Sequence, residues 1–113
     1  MTRPGADDPV ALERSARELR EIAREARRQA AVITTHAGRV EPVAGGVSSA
    51  IGGTAIGADK KMIGSLERAL RELTSASRAL QEAAETAEKL AHQATSRALK
   101  AREQHAAAAH GRR

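Results

Sequence analysis

The sequence predicts an all-α fold: an antiparallel helix-turn-helix hairpin that dimerises into a four-helix bundle. Three observations carry this. Apolar residues recur at alternating spacings of four and three along two long stretches. Glycines crowd the segment between those stretches. There is no Phe, Trp or Tyr, and Ala outnumbers Leu, Ile, Val and Met together, so helices can pack closely but no large core can form. The 113 residues suffice for one small domain.

The first helix is predicted over residues 9–41. In "ADDPVALERS", Asp8 suits the N-cap, and Pro9 suits the first helical position, where its missing N–H removes no bond. Leu12, Ala16, Leu19, Ala23, Ala26, Ala30, Ile33, Ala37 and Val40 then form an unbroken seven-residue repeat, widened by Ile22 and Val32. Residues 1–8 are predicted to be a disordered N-terminus. Gly38 and Pro42 weaken the helix, and Glu41, preceding proline, is expected to leave helical geometry.

A glycine-rich turn is predicted over residues 42–58. Gly45, Gly46, Gly52, Gly53 and Gly57 fall there, and glycine costs about 1 kcal/mol against alanine inside a helix, so a cluster is best tolerated where the chain reverses. The apolar spacing nevertheless continues through Ala44, Val47 and Ile51, which leaves a frayed or kinked extension open.

The second helix is predicted over residues 59–102, with Asp59 as N-cap and Thr54 as a rival. Its repeat runs Ile63, Leu66, Leu70, Leu73, Ser77, Leu80, Ala84, Ala87, Ala91, Ala94, Ala98, Ala101. Met62, Ala69, Ala76, Ala83 and Leu90 form a second line beside it. The larger side chains lie near the turn, so that half is expected to pack best. Residues 103–113 have no large apolar anchor and are expected to fray.

Two helices cannot cover both their common seam and a widened flank. A second hairpin is therefore expected against Leu12, Leu19, Ile22, Ile33, Val40, Met62, Ile63, Leu66, Leu70, Leu73 and Leu80, as a homodimer or a heterodimer.

Catalytic, cofactor and metal chemistry finds no residues to carry it, so a non-enzyme is expected. Cysteine is absent, which excludes disulfides and thiolate ligands. The glutamates lie off the apolar repeat and sit three or four residues from basic partners, as Glu67 does from Arg71 and Glu85 from Lys89. His36, His92, His105 and His110 share no ligand spacing, and there is no H-E-x-x-H. "GGTAIGADKK" lacks the G-x-x-x-x-G-K-[ST] order of a phosphate loop.

"MTRPGADDP" has no apolar h-region and no stretch is long enough to span a membrane, so cytoplasmic synthesis without a secretory leader is expected. The formal charge is +5, and Arg17, Arg20, Arg24 and Arg27 share a stripe with Arg14 and Arg28 beside it. A basic helical protein binding a polyanion, nucleoid-associated or surface-binding, is the alternative reading. Glu18, Glu21 and Glu25 offset that stripe, and no aromatic ring is present to stack on bases. Nucleic acid is therefore not the expected partner.

Two amphipathic helices around a small-residue turn resemble the Trp-x-Gly (WXG) hairpin family, the early-secretory-antigen-like proteins of type VII secretion. The turn motif would be Ile51-Gly52-Gly53, with Gly53 matching the family glycine and Ile51 departing from its tryptophan. The resemblance implies a leaderless type VII route out of the cell, in company with another hairpin protein or a larger secreted effector. The family's Tyr-x-x-x-Asp/Glu export signal cannot be present in a chain without tyrosine. The implied role is thus a signal-less partner subunit or a divergent substrate.

Overall fold

The computed structural model describes residues 8–51 and 57–111. They form two helices, α1 over Pro9–Ile51 and α2 over Gly57–Gly111. Among the described residues there is no strand. Asp8 caps α1: its Oδ1 accepts from the Val10 N–H at 3.1 Å, and its carbonyl accepts from the Leu12 N–H at 3.0 Å. Pro9 is buried in the first turn, where proline breaks no ladder bond.

Both helices are longer than their sequence signals suggest. The turn predicted over 42–58 is largely helix: α1 runs on through Glu41 and Pro42 to Ile51, and α2 begins at Gly57 instead of Asp59. Pro42 removes one N–H and presses on the carbonyl four residues back. That carbonyl belongs to Gly38, and both residues are exposed, so water can meet the group the proline leaves unpaired. At the other end α2 passes Arg102 and reaches Gly111. The run of four alanines, Ala106–Ala109, explains this, since alanine is the strongest helix former. The expected disorder of the first residues, Asp8 excepted, and residues 52–56 of the predicted turn lie outside the described residues.

The chain divides into two compact units, each a pair of helical segments. One joins Met1–Glu25 to Ala83–Arg113. Ala16 and Ala23 on α1 and Ala84, Ala87, Ala91, Ala98 and Ala101 on α2 are buried in it, all on the predicted repeats. Arg102 meets Glu13 and Arg20 meets Thr95, so α2 numbers fall as α1 numbers rise and the pair is antiparallel. This is the alanine unit below.

The other unit is Ala26–Glu82. Here Ala26, Ala30 and Ser77 are buried, whereas Ile33, Val40, Ile63, Leu66, Leu70, Leu73 and Leu80 are only half-buried. This aliphatic unit is the half expected to pack best, and it does not. A methyl group disappears between two close backbones, but an isobutyl group reaches beyond them, and no third element covers its tip. A small hydroxyl cluster joins the helices inside it. The Ala30 carbonyl lies 2.9 Å from Thr34 Oγ1 and 3.2 Å from Ser77 Oγ, and the two oxygens are 3.0 Å apart. Two hydroxyl protons thus serve three contacts.

Candidate interaction surface

The seven-residue repeat gives each helix pair two flanks, one on either side of its seam. In the alanine unit one flank is polar and stitched. Arg102 Nε and Nη2 both reach Glu13 Oε1, at 2.8 and 2.7 Å, and Arg20 Nη2 donates to Thr95 Oγ1 at 2.9 Å. Val10 and Leu99 lie on this side as exposed apolar residues.

The opposite flank of the same unit is apolar at its centre. The register set by those cross-helix bonds brings Ile22 of α1 within about one helical turn of Leu90 of α2. Ile22 is 57% exposed and Leu90 46%. Along α1, Ile22 has Glu18 and Glu25 one turn to either side, an acidic edge. Along α2, Leu90 has the small uncharged residues Ala83 and Thr86 before it and Arg97 and Lys100 after it, a basic edge. All six of these neighbours are exposed.

In the aliphatic unit, Val32, Val43 and Met62 are exposed apolar residues. A shallow open groove of about 650 Å³ lies against Thr34, Ala37, Gly38, Glu41, Leu70, Arg71, Thr74 and Ser75. Its hydroxyls are partly committed to the helices themselves: Thr74 donates to the Leu70 carbonyl at 3.0 Å, and Thr34 joins the cluster with Ser77.

The eleven residues predicted to meet a partner divide in two. Leu12, Leu19, Ile33, Val40, Ile63, Leu66, Leu70, Leu73 and Leu80 are half-buried in their own unit's seam, while Ile22 and Met62 stand on the flanks. Of the turn motif, Ile51 is the last residue of α1, and Gly52 and Gly53 lie outside the described residues. Sequence reasoning missed Val10, Val43 and Leu99 as exposed apolar positions, and it missed the pairs Glu13–Arg102 and Thr34–Ser77. The hydroxyl at Ser77, placed on an otherwise apolar repeat, was the one signal available for the cluster.

Among the described residues, no group of three or more His, Asp or Glu side chains could hold a metal ion, and no helix is long and apolar enough to cross a membrane. No buried side-chain nitrogen or oxygen there lacks a hydrogen-bond partner. Comparisons of the chain with protein-family models, curated proteins and solved structures find no match.

Proposed function

We propose that this chain is a non-enzymatic interaction protein whose hairpin pairs with another helical hairpin. Its context would be WXG-like type VII secretion, as a substrate or as the signal-less subunit of a pair. The observation that carries the pairing is the apolar surface left uncovered. Ile22, Val32, Val43, Met62, Leu90 and Leu99 are each 45–58% exposed, while the buried apolar side chains of the seams are alanines.

The secretion context is supported by the hairpin architecture together with Gly53, which matches the family glycine at the turn motif where Ile51 departs from the tryptophan. Mass measurement of the purified chain, combined with its unfolding curve, tests the pairing. A dimer, or a weakly structured monomer that becomes cooperative with a second hairpin protein, is expected; a stable, cooperatively unfolding monomer overturns it. Export is tested separately, by comparing culture filtrates of cells with and without a working type VII machine. Equal amounts in both would remove the secretion reading and leave the pairing untouched.

A further inference from the structure

The groove of the aliphatic unit has a chemistry that hairpin pairing leaves unused. Its volume of about 650 Å³ falls within the range of about 300–1,000 Å³ typical of small-molecule sites. Ala37 and Leu70 are half-buried and form its apolar base, and its other lining residues are exposed. The α1 side accepts hydrogen bonds. Thr34 uses its proton within the cluster at Ala30 and Ser77, which leaves its oxygen as an acceptor. Gly38 lines the groove with backbone alone, and its carbonyl lacks the N–H it would meet because Pro42 stands four residues on. Glu41 adds a carboxylate. The α2 side donates: Arg71 brings a guanidinium and Ser75 a hydroxyl, while Thr74 is committed to the Leu70 carbonyl. Among the described residues neither Glu41 nor Arg71 is in an ion pair, although Glu67 lies one turn from Arg71.

We propose that this groove binds a free aliphatic amino acid. Its ammonium lies on the α1 side at Glu41 and the Gly38 carbonyl, its carboxylate on the α2 side at Arg71 and Ser75, and its side chain along Ala37 and Leu70. Charge decides between ligand classes. A purely anionic ligand would set like charge against Glu41, and a purely cationic one against Arg71. A hydrocarbon would take water from both and return no hydrogen bond. A zwitterion with an apolar side chain meets each lip with its opposite sign. Gly38 points the same way. A Cβ there would meet no atom within 4 Å, so no packing inside the hairpin demands glycine. Glycine weakens a helix at such a position, and its missing side chain keeps the groove open beside the carbonyl.

The test titrates the full, isotope-labelled chain with L-leucine and follows its backbone amide resonances. Shifts centred on residues 34–41 and 70–75 are expected, saturating on the order of millimolar, as suits a small ligand in an open site. Leucinamide lacks the carboxylate and N-acetylleucine lacks the ammonium. Each is expected to bind about tenfold more weakly or worse, the worth of one hydrogen bond to a charged group. Glu41→Gln should then erase the preference for leucine over N-acetylleucine, and Arg71→Gln the preference over leucinamide. A loss of folding cannot produce that crossed pattern. Gly38→Leu should abolish binding while circular dichroism shows helix content held or raised. Capped and free leucine binding alike, or preferences unchanged in the variants, overturns the proposal. So does the lack of any saturable shift up to about 50 mM leucine. Each of these failures leaves the pairing of hairpins untouched.

Discussion

The two units solve the same packing problem with different side chains, and the smaller ones are better hidden. In the alanine unit Ala16, Ala23, Ala84, Ala91 and Ala98 are each at most 1% exposed. Among the residues of the aliphatic unit whose burial is described, no Leu, Ile, Val or Met is buried, although these side chains offer far more surface to hide. The difference teaches that in a two-helix layer burial depends on walls before it depends on hydrophobicity. One facing helix encloses a methyl group. It cannot enclose the end of a leucine, which needs a third surface. The alanine unit is thus closed where alanines face each other, with Leu12 and Leu19 half-buried in the same seam, and the aliphatic unit, with more such side chains, stands to gain more from any element laid over it.

That contrast predicts opposite responses to changes in size. Ala84 is fully buried, so Ala84→Leu is expected to force the helices apart. Overpacking of this kind typically costs about 1–3 kcal/mol, and a close alanine contact should lie at or above the upper end. Urea unfolding would read the effect as a lower midpoint. A neutral Ala84→Leu would break the comparison, because it would mean the backbones are not closely apposed. Leu73→Ala in the other unit removes a half-buried side chain. Full burial would make this about 2–5 kcal/mol, and half of that, about 1–2 kcal/mol, is expected. If the isolated chain loses the full amount, its aliphatic residues are already covered in solution, by a partner copy or by a rearrangement.

The hydroxyl cluster sharpens the contrast more gently. Ser77 is the buried polar side chain of the aliphatic unit, and its loss leaves Thr34 still able to donate to the Ala30 carbonyl. Ser77→Ala is therefore expected to cost only about 0.5–1 kcal/mol, since no buried group is orphaned. Its larger consequence concerns alignment. A single polar contact in an apolar seam penalises slipped registers, and in this unit the flanking leucines are too loosely held to do so alone. Spin-label distances between α1 and α2 within the unit should broaden in the variant. Unchanged widths would assign register to the leucines instead.

How far the molecule can be read from its residues follows the same physics. Every alanine found buried lies on the seven-residue repeat visible in the sequence, because periodicity is a property of one helix and survives without knowledge of its partner. The helix ends are less legible. Pro42, Gly45 and Gly46 are breakers by propensity, yet α1 continues through them, since propensity is a weak term that context overrides. Burial is read poorly as well, because side-chain size does not measure it in a layer only two helices wide. The pairs Glu13–Arg102 and Arg20–Thr95 could not be named at all. They depend on how far α2 is shifted along α1, which no local pattern encodes. The exposed Ile22 is legible as part of a partner face. That Leu90 lies within about a turn of it on the same flank becomes visible only with the register.

The smallest expected effect belongs to the stitched flank. Glu13 and Arg102 make a two-pronged ion pair at 2.7 and 2.8 Å, but their side chains remain 37% and 51% exposed. Exposed pairs contribute about 0–1 kcal/mol, less in high salt. A double-mutant cycle with Glu13→Gln and Arg102→Gln is expected to give a coupling of about a few tenths of a kcal/mol at low salt, vanishing near about 1 M. The sign matters more than the size. This flank is closed within a single chain, so the coupling should not depend on protein concentration, whereas substitutions at Ile22 or Leu90 should act through association and weaken as the protein is diluted. A coupling between Glu13 and Arg102 that grew with concentration would place the partner on the polar flank, and the division between a sewn side and an open side would have to be reversed.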